Sequence, residues 1–203
     1  MVTSSQRTAL LEKYSYINVE HDTWWDCVYS DFEEDMKAVG IEVHRMFFSG
    51  FWSQGDGACF NGKLDNALTY LDHHHKDQYP MIRKLLDAGG MVYVNSQNDG
   101  TYFHEHCVSF WIDNDTLRDM IDQPTEFHVE VVEAWQDLLD KEMDDFTTQV
   151  EEQWRTYMRD LYRKLEAEYD YLTSEDAIWD TIVANELDTD ADTHDTEEHN
   201  YAA

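Results

Sequence analysis

The chain has 203 residues, of which 44 are acidic and 14 are basic, so its formal net charge at pH 7 is −30. Nucleic acid is an improbable ligand for such a chain, because binding it depends on lysine and arginine neutralising phosphates. Aromatic residues make up 14% of the sequence, which excludes a fully disordered chain, and no apolar run reaches the ~18 residues of a membrane span.

The first 114 residues predict two similar units, each a helical segment followed by a β-hairpin. Residues 20–39 carry apolar side chains at steps of three and four, the period of a helix packed on one side, and Gly40 follows as a helix terminator. The second helical segment begins near Asp65 and is interrupted around Pro80. The predicted strands are residues 41–52, 58–61, 91–95 and 102–112. This order predicts an α+β fold, in which a four-stranded, mostly antiparallel sheet carries helices on one face.

After residue 114 the pattern changes to one long helical series. Apolar residues from Val132 to Leu172 recur in eleven steps over 40 residues, about 3.6 residues per step. They predict a helix over residues 124–170, which would be about 70 Å long at ~1.5 Å per residue. Such a helix either bends back near Thr147 and Thr148 or projects and pairs with another chain, so a homodimer through the long helix is one expectation.

Three regions are therefore predicted. Residues 1–114 form an α+β domain, and residues 115–187 form an acidic helical region with a second helix over 174–185, capped by Thr173 and Ser174. Residues 188–203 form a disordered acidic tail. Three well-separated cysteines and the lack of a visible secretion signal predict a cytoplasmic protein with reduced thiols.

Six carboxylates recur along the predicted long helix at steps of four and three. They are Glu126, Glu130, Glu133, Asp137, Asp140 and Asp144. Like charges at this spacing oppose helix formation by a few tenths of a kcal/mol per pair, and such local conflicts tend to mark functional surfaces. Ordinary solvation of the helix and adaptation of the whole protein to high salt are the alternatives.

The net charge density of this stripe restricts which form of DNA it can imitate. Residues 126–145 hold eight acids and one lysine, or one net charge per ~4.3 Å of helix at ~1.5 Å per residue. The phosphates of one DNA strand are roughly 3.4 Å apart and those of a duplex roughly 1.7 Å. One helix therefore resembles a single strand, and imitating a duplex requires a second acidic helix alongside. The expected partner is the basic DNA-binding cleft of another protein.

A second candidate surface is the segment SGFWSQGDGACFNG at residues 49–62. Its structural explanation is a tight hairpin in which Gly55 and Gly57 allow positive φ and Asp56 directs the turn. Its functional explanation is a docking loop that recognises one protein partner, with Trp52 and Asp56 as contacts.

This segment resembles a signature, SGF-aromatic-SQGDGA-x-F, of a group of uncharacterised phage, prophage and plasmid proteins. The segment EYDYLTSEDA at residues 168–177 is similar to the same group. The resemblance implies an accessory gene of a mobile element acting in a bacterial cell, and some members carry an antitoxin-like description. Small acidic proteins from such elements often block host-defence nucleases by imitating DNA.

Histidines offer the third candidate site. In the predicted last strand, His104 and His106 would point to the same face, and an H-x-H pair can supply two metal ligands, but no third ligand is placed by the sequence. No G-x-S-x-G, P-loop, G-x-G-x-x-G or H-E-x-x-H motif is present.

The sequence as a whole favours a non-enzymatic inhibitor of a DNA-binding host protein, of the anti-restriction or anti-CRISPR type, without a cofactor. An antitoxin-like or assembly protein that binds one partner is the alternative. A metal-dependent enzyme that uses the H-x-H pair is a further one.

Overall fold

A computed structural model describes residues 2–21, 23–122 and 129–187. The helices are α1 (Ser4–Lys13), α2 (Asp26–Ala38), α3 (Ala67–His74), α4 (Pro80–Asp87), α5 (Asp115–Asp122), α6 (Val129–Leu172) and α7 (Glu175–Ala184). The strands are β1 (Ile41–Phe48), β2 (Ala58–Leu64), β3 (Tyr93–Asn98) and β4 (Val108–Asp113). The predicted acidic tail, residues 188–203, and Pro124 lie outside the described residues.

The four strands form one antiparallel sheet in the order β1-β2-β3-β4. The predicted fold class is therefore confirmed. The pairing of β1 with β2 runs from Ile41 opposite Leu64 to Phe48 opposite Ala58, with a shift in register at His44. Gly40, with φ of +83°, turns the chain from α2 into β1, and a Cβ there would lie 2.4 Å from the carbonyl oxygen of Asn66. Glycine is required at this position.

Helices α2 and α6 pack on the same face of this sheet. Trp154 of α6 is fully buried, and its ring centroid lies 5.5 Å from that of Phe60 on β2 and 5.9 Å from that of Phe110 on β4. Phe32 of α2 reaches the same Phe60 ring at 5.6 Å. Burial of each large apolar side chain contributes about 1.5–3 kcal/mol, so this aromatic cluster stabilises the packing of both helices on the sheet.

Helix α6 is a single helix of 44 residues. It passes through Thr147 and Thr148 without a break, and Thr148 Oγ1 donates a hydrogen bond of 3.0 Å to the carbonyl oxygen of Asp144. Of the two alternatives for the long helix, the bend near Thr147 and Thr148 does not occur. Its apolar series is buried by the chain itself, at Leu139, Met143, Phe146, Val150, Trp154, Met158, Leu161 and Leu165. Between Leu139 and Leu165, the seam that suggested a homodimer is thus already buried within the chain.

Contacts divide the chain into two compact units, and the division differs from the predicted boundary at residue 114. The larger unit is Asp26–Glu166, so the sheet, α5 and most of α6 belong together, because the apolar face of α6 needs the sheet to cover it.

The smaller unit contains residues 2–25 and 167–187 of the described chain. In it, Arg7 of α1 lies 5.0 Å from the ring centroid of Trp179 on α7, and Asn18 Nδ2 donates to the carbonyl oxygen of Leu172 at 2.9 Å. Ser174 caps α7 by accepting from the backbone N–H of Ala177, as the sequence predicted. Within the described chain, no helix is both long and apolar enough to cross a membrane.

Candidate functional site

The predicted acidic stripe lies along the flank of the buried series of α6, one position beyond Leu139 and Met143. Glu133, Asp137 and Asp144 are exposed. Asp140 is half-buried, and its Oδ1 lies 2.7 Å from Nη2 of Arg118 on α5. Of the remaining two predicted residues, Glu126 lies outside the described residues, and Glu130 belongs to α6 but its side chain is not among those described.

Helix α5 brings a second row of carboxylates beside this stripe. Asp115, Asp119 and Asp122 are exposed on α5 and are spaced by four and three residues. The two helices are joined by the Arg118–Asp140 pair and by a hydrogen bond from Gln136 Nε2 to Asp122 Oδ1. We call this two-helix surface the acidic face, and it comprises Asp115, Asp119, Asp122, Glu133, Asp137, Asp140 and Asp144.

The α5 row was missed by sequence reasoning, although its signal was available. The sequence DTLRDMID repeats acids at helical spacing. These eight residues were predicted as part of one acidic helical region and not as a separate helix. Helix α5 is therefore a second acidic helix beside α6 within the same chain, which sequence reasoning had expected only from a fold-back of α6 or from a second chain.

Two acids of α6 have a different role. Glu142 is buried, and its carboxylate accepts hydrogen bonds from the backbone N–H groups of Met81 at 3.0 Å and Ile82 at 2.9 Å. Asp145 accepts a 2.7 Å hydrogen bond from the hydroxyl of Tyr79. Both side chains hold the start of α4, where the first N–H groups of a helix lack partners. They should not be counted in the acidic face.

The acidic face has a higher net charge density than the stripe on α6 alone. Seven carboxylates, less Arg118 and the nearby Lys141, leave five net negative charges. Residues 133–144 span about 17 Å of helix axis at ~1.5 Å per residue, so the face carries one net charge per ~3.3 Å. That value matches the roughly 3.4 Å of one DNA strand and is half the density of a duplex.

The second half of α6 is organised differently. Residues 151–166 hold four acids and four bases, whereas residues 133–145 hold six acids and one base. The bases of the second half are paired within the chain: Arg155 with Glu151 at 3.0 Å, Arg159 with Glu152 at 2.9 Å, Arg163 with Asp160 at 3.3 Å and Lys164 with Asp35 at 2.6 Å. Charge is therefore balanced in one half of the helix and concentrated in the other.

The loop between β1 and β2 is shaped from inside by Asp56. Its Oδ2 accepts from the backbone N–H groups of Trp52 at 2.9 Å and Ser53 at 2.6 Å, which ends β1 at Phe48, earlier than the predicted residue 52. Asp56 was predicted as a partner contact, and the structure gives its carboxylate this internal role. Trp52 projects from the loop with 78% of its surface exposed, so it is the side chain that a partner would meet first.

The histidine pair occupies a turn where a strand was predicted. Residues Glu105–Cys107 form a 3₁₀ turn and β4 begins only at Val108, so His104 and His106 are not aligned by strand alternation. The turn nevertheless brings both rings close to the carboxylate of Glu105, a third possible ligand. The predicted strand would have placed Glu105 on the opposite face from the two histidines.

The other titratable groups argue against nucleophilic or acid–base chemistry at two places. Burial raises the pKa of the Cys59 thiol to about 12, so this fully buried cysteine is unreactive at neutral pH. Burial, with His73 and His75 adjacent, lowers the pKa of His74 to about 4. His74 Nε2 is hydrogen-bonded to the hydroxyl of Tyr157, so a neutral, structural ring explains it.

Comparison with known proteins gives a family and no described activity. No curated protein and no solved structure matches this chain. Residues 24–175, which include the sheet, the acidic face and the Trp52 loop, match a family model. The chain therefore belongs to the family described as a domain of unknown function, DUF8835.

Proposed function

We propose that this protein is a non-enzymatic inhibitor that occupies the DNA-binding cleft of a protein in a bacterial host, with the acidic face in place of phosphates. The observation that carries the proposal is the alignment of two rows of exposed carboxylates on adjacent helices, with a net charge density close to that of one DNA strand. A cleft lined with lysine and arginine is the complementary surface.

The distribution of charge within α6 favours this function over simple solubility. A helix that only needs solvation gains from acid–base pairs at steps of three and four, and residues 151–166 contain such pairs. If the entire chain were adapted to high salt, acids would exceed bases along the whole of α6. Instead, acids and bases are equal in number in residues 151–166. Within the described residues, Glu133, Asp137 and Asp144 have no such ion pair, so their carboxylates remain available to an external cation.

The proposal is tested by capture from a bacterial lysate with a charge-reversed face. Glu133, Asp137 and Asp144 are changed to Lys together, since these three are exposed and Asp140 is engaged by Arg118. We expect wild-type protein to retain a DNA-binding protein at low salt, release it on addition of DNA, and lose it in the variant.

A matched control separates the effect of the acidic face on binding from the effect of the total net charge. The variant Asp31→Lys, Glu33→Lys, Glu34→Lys alters three exposed acids of α2 and changes the net charge from −30 to −24, as the face variant does. Retention by the control and loss by the face variant support the proposal. Equal retention by both variants rejects it.

The exposure of Trp52 favours one second candidate, an antitoxin-like or assembly protein that docks through the β1–β2 loop. Contact through a large aromatic side chain predicts binding that tolerates salt and is lost in Trp52→Ala. The same capture experiment separates the two functions, because the acidic-face complex dissociates at high salt and the loop complex does not.

A further inference from the structure

The connection between β3 and β4 holds its shape through buried contacts. Asn98 is buried, and its side-chain amide donates to the carbonyl oxygens of Tyr102 at 2.7 Å and Cys107 at 3.4 Å, which ties both ends of the connection together. On its other side, the connection packs against the β1–β2 loop. A Cβ at Gly57 would lie only 2.9 Å from Cα of His104. The backbone at residues 104–107 is therefore fixed before any ligand binds.

This fixed turn directs two imidazole rings at one carboxylate. His104 Nδ1 lies 3.0 Å from Glu105 Oε2, and His106 Nε2 lies 3.8 Å from Glu105 Oε1. The two rings stack with centroids 5.1 Å apart, and one ligand atom from each of the three residues lies within 4.8 Å of the other two. His104 Nδ1 also accepts a hydrogen bond of 3.3 Å from the backbone N–H of His106, so the backbone of the turn orients this ring. A proton or a metal ion between a ring nitrogen and the carboxylate makes such close contacts favourable.

The surroundings of Glu105 leave its negative charge incompletely compensated. Only 9% of its surface is exposed, and a buried carboxylate is costly unless it is paired. The nearest arginine, Arg159, approaches Glu105 Oε1 only to 3.7 Å, because its guanidinium is held at 2.9 Å by Glu152 and at 2.8 Å by Thr156. A metal ion between Glu105 and the two rings would supply a further positive charge.

We propose that His104, Glu105 and His106 bind one divalent transition-metal ion. Two imidazoles and one carboxylate are a ligand set that Zn²⁺ accepts, with a fourth position left for water or another ligand. Beside His104 and Glu105 lies a cavity of about 240 Å³, lined also by Asp56, Arg159, Tyr162 and Arg163, which gives that fourth position room. This site is separate from the acidic face and does not depend on the proposed inhibitor function.

The test is a zinc titration of the full-length chain by isothermal calorimetry, after removal of metal with a chelator and in the presence of excess Mg²⁺. Excess Mg²⁺ occupies exposed carboxylates, which prefer hard cations, and leaves imidazole-containing sites to zinc. The variants are Glu105→Gln, which keeps the shape of the buried side chain, and His106→Ala, whose ring is 69% exposed. Both should bind zinc at least about tenfold more weakly, the lower end of the cost of losing even an outer-shell partner.

The chain offers a matched control in His44, whose Nε2 lies 3.6 Å from Glu42 Oε1 without a second histidine in the pair. The variant His44→Ala should bind zinc as tightly as wild type. Thermal unfolding of the metal-free proteins checks that each variant is folded. The proposal is overturned if wild type takes up no zinc, or if Glu105→Gln and His106→Ala bind it as tightly as His44→Ala.

Discussion

Glu142 and Glu133 lie nine positions apart on α6, and the structure assigns them opposite roles. Glu142 is buried and accepts from the backbone N–H groups of Met81 and Ile82 at the start of α4, whereas Glu133 is exposed on the acidic face. We predict that Glu142→Ala destabilises the protein strongly and that Glu133→Ala does not. This pair of variants separates acids that maintain the fold from acids that are free to bind.

The magnitude for Glu142→Ala follows from the groups left without a partner. Helix α4 has Tyr79 at its N-cap, and the Tyr79 side chain makes no capping hydrogen bond to the backbone of α4, so Glu142 supplies the cap from another helix. Loss of an N-cap costs about 0.5–2 kcal/mol, and leaving a buried donor unsatisfied costs about 1–3 kcal/mol. The residue Ile82 is fully buried, so water cannot readily replace the lost acceptor at its N–H. We expect a total loss of about 2–3 kcal/mol.

Urea unfolding followed by circular dichroism measures this difference. Glu142→Gln keeps one acceptor oxygen and should lose about 1 kcal/mol, while Glu133→Ala should stay within about 0.5 kcal/mol of wild type, as surface changes usually do. The reasoning is refuted if the free energies of unfolding of Glu142→Ala and Glu133→Ala are equal.

Three further predictions concern the loop, a histidine and the acidic face. Asp56→Ala should increase proteolytic cleavage of the β1–β2 loop because it removes two backbone hydrogen bonds, whereas Trp52→Ala should leave cleavage unchanged; equal cleavage in both contradicts the internal role of Asp56. The pKa of His74 is about 4 in the folded protein, so as the pH falls the unfolded chain takes up the proton on this ring before the folded chain does. The stability that the neutral ring contributes is therefore present above the unfolded pKa and is lost as the pH falls towards 4. His74→Gln should therefore make the free energy of unfolding fall less steeply between about pH 6.5 and pH 4, and an unchanged slope in denaturation series contradicts this. Arg118→Gln removes the cation that engages Asp140, at a cost to stability within about 1 kcal/mol for an exposed pair, and should raise the salt concentration needed to elute the captured partner; a lower elution salt contradicts the account.

Elements with a clear period or an explicit terminator could be predicted from the sequence. The core face of α2, the break before Pro80, the two hairpins and the cap at Ser174 were all confirmed, because each depends on neighbours within a few residues. The long apolar series was predicted as a helix, and over the described residues it is helical from Val129 to Leu172, two residues past the predicted end.

The misses arise from contacts between residues far apart in sequence. Nothing near Glu142 in the sequence indicates that it caps α4, since the hydrogen bonds span about sixty positions. The strand predicted over 102–112 starts at Val108, because Asn98 binds the carbonyl groups at both ends of the turn.

The same limitation applied to the candidate site. Spacing identified the stripe on α6 but not its neighbour α5, because helix–helix adjacency is determined by packing.

The salt dependence of binding to the captured partner tests the central claim most directly. If carboxylates of the acidic face replace phosphates, binding should compete with single-stranded DNA, and its affinity should fall steeply with salt. The slope of log affinity against log salt should become shallower when Glu133, Asp137 and Asp144 are neutralised to Gln and Asn. A slope that is unchanged by these substitutions, or a complex that forms equally well in saturating DNA, would contradict the account.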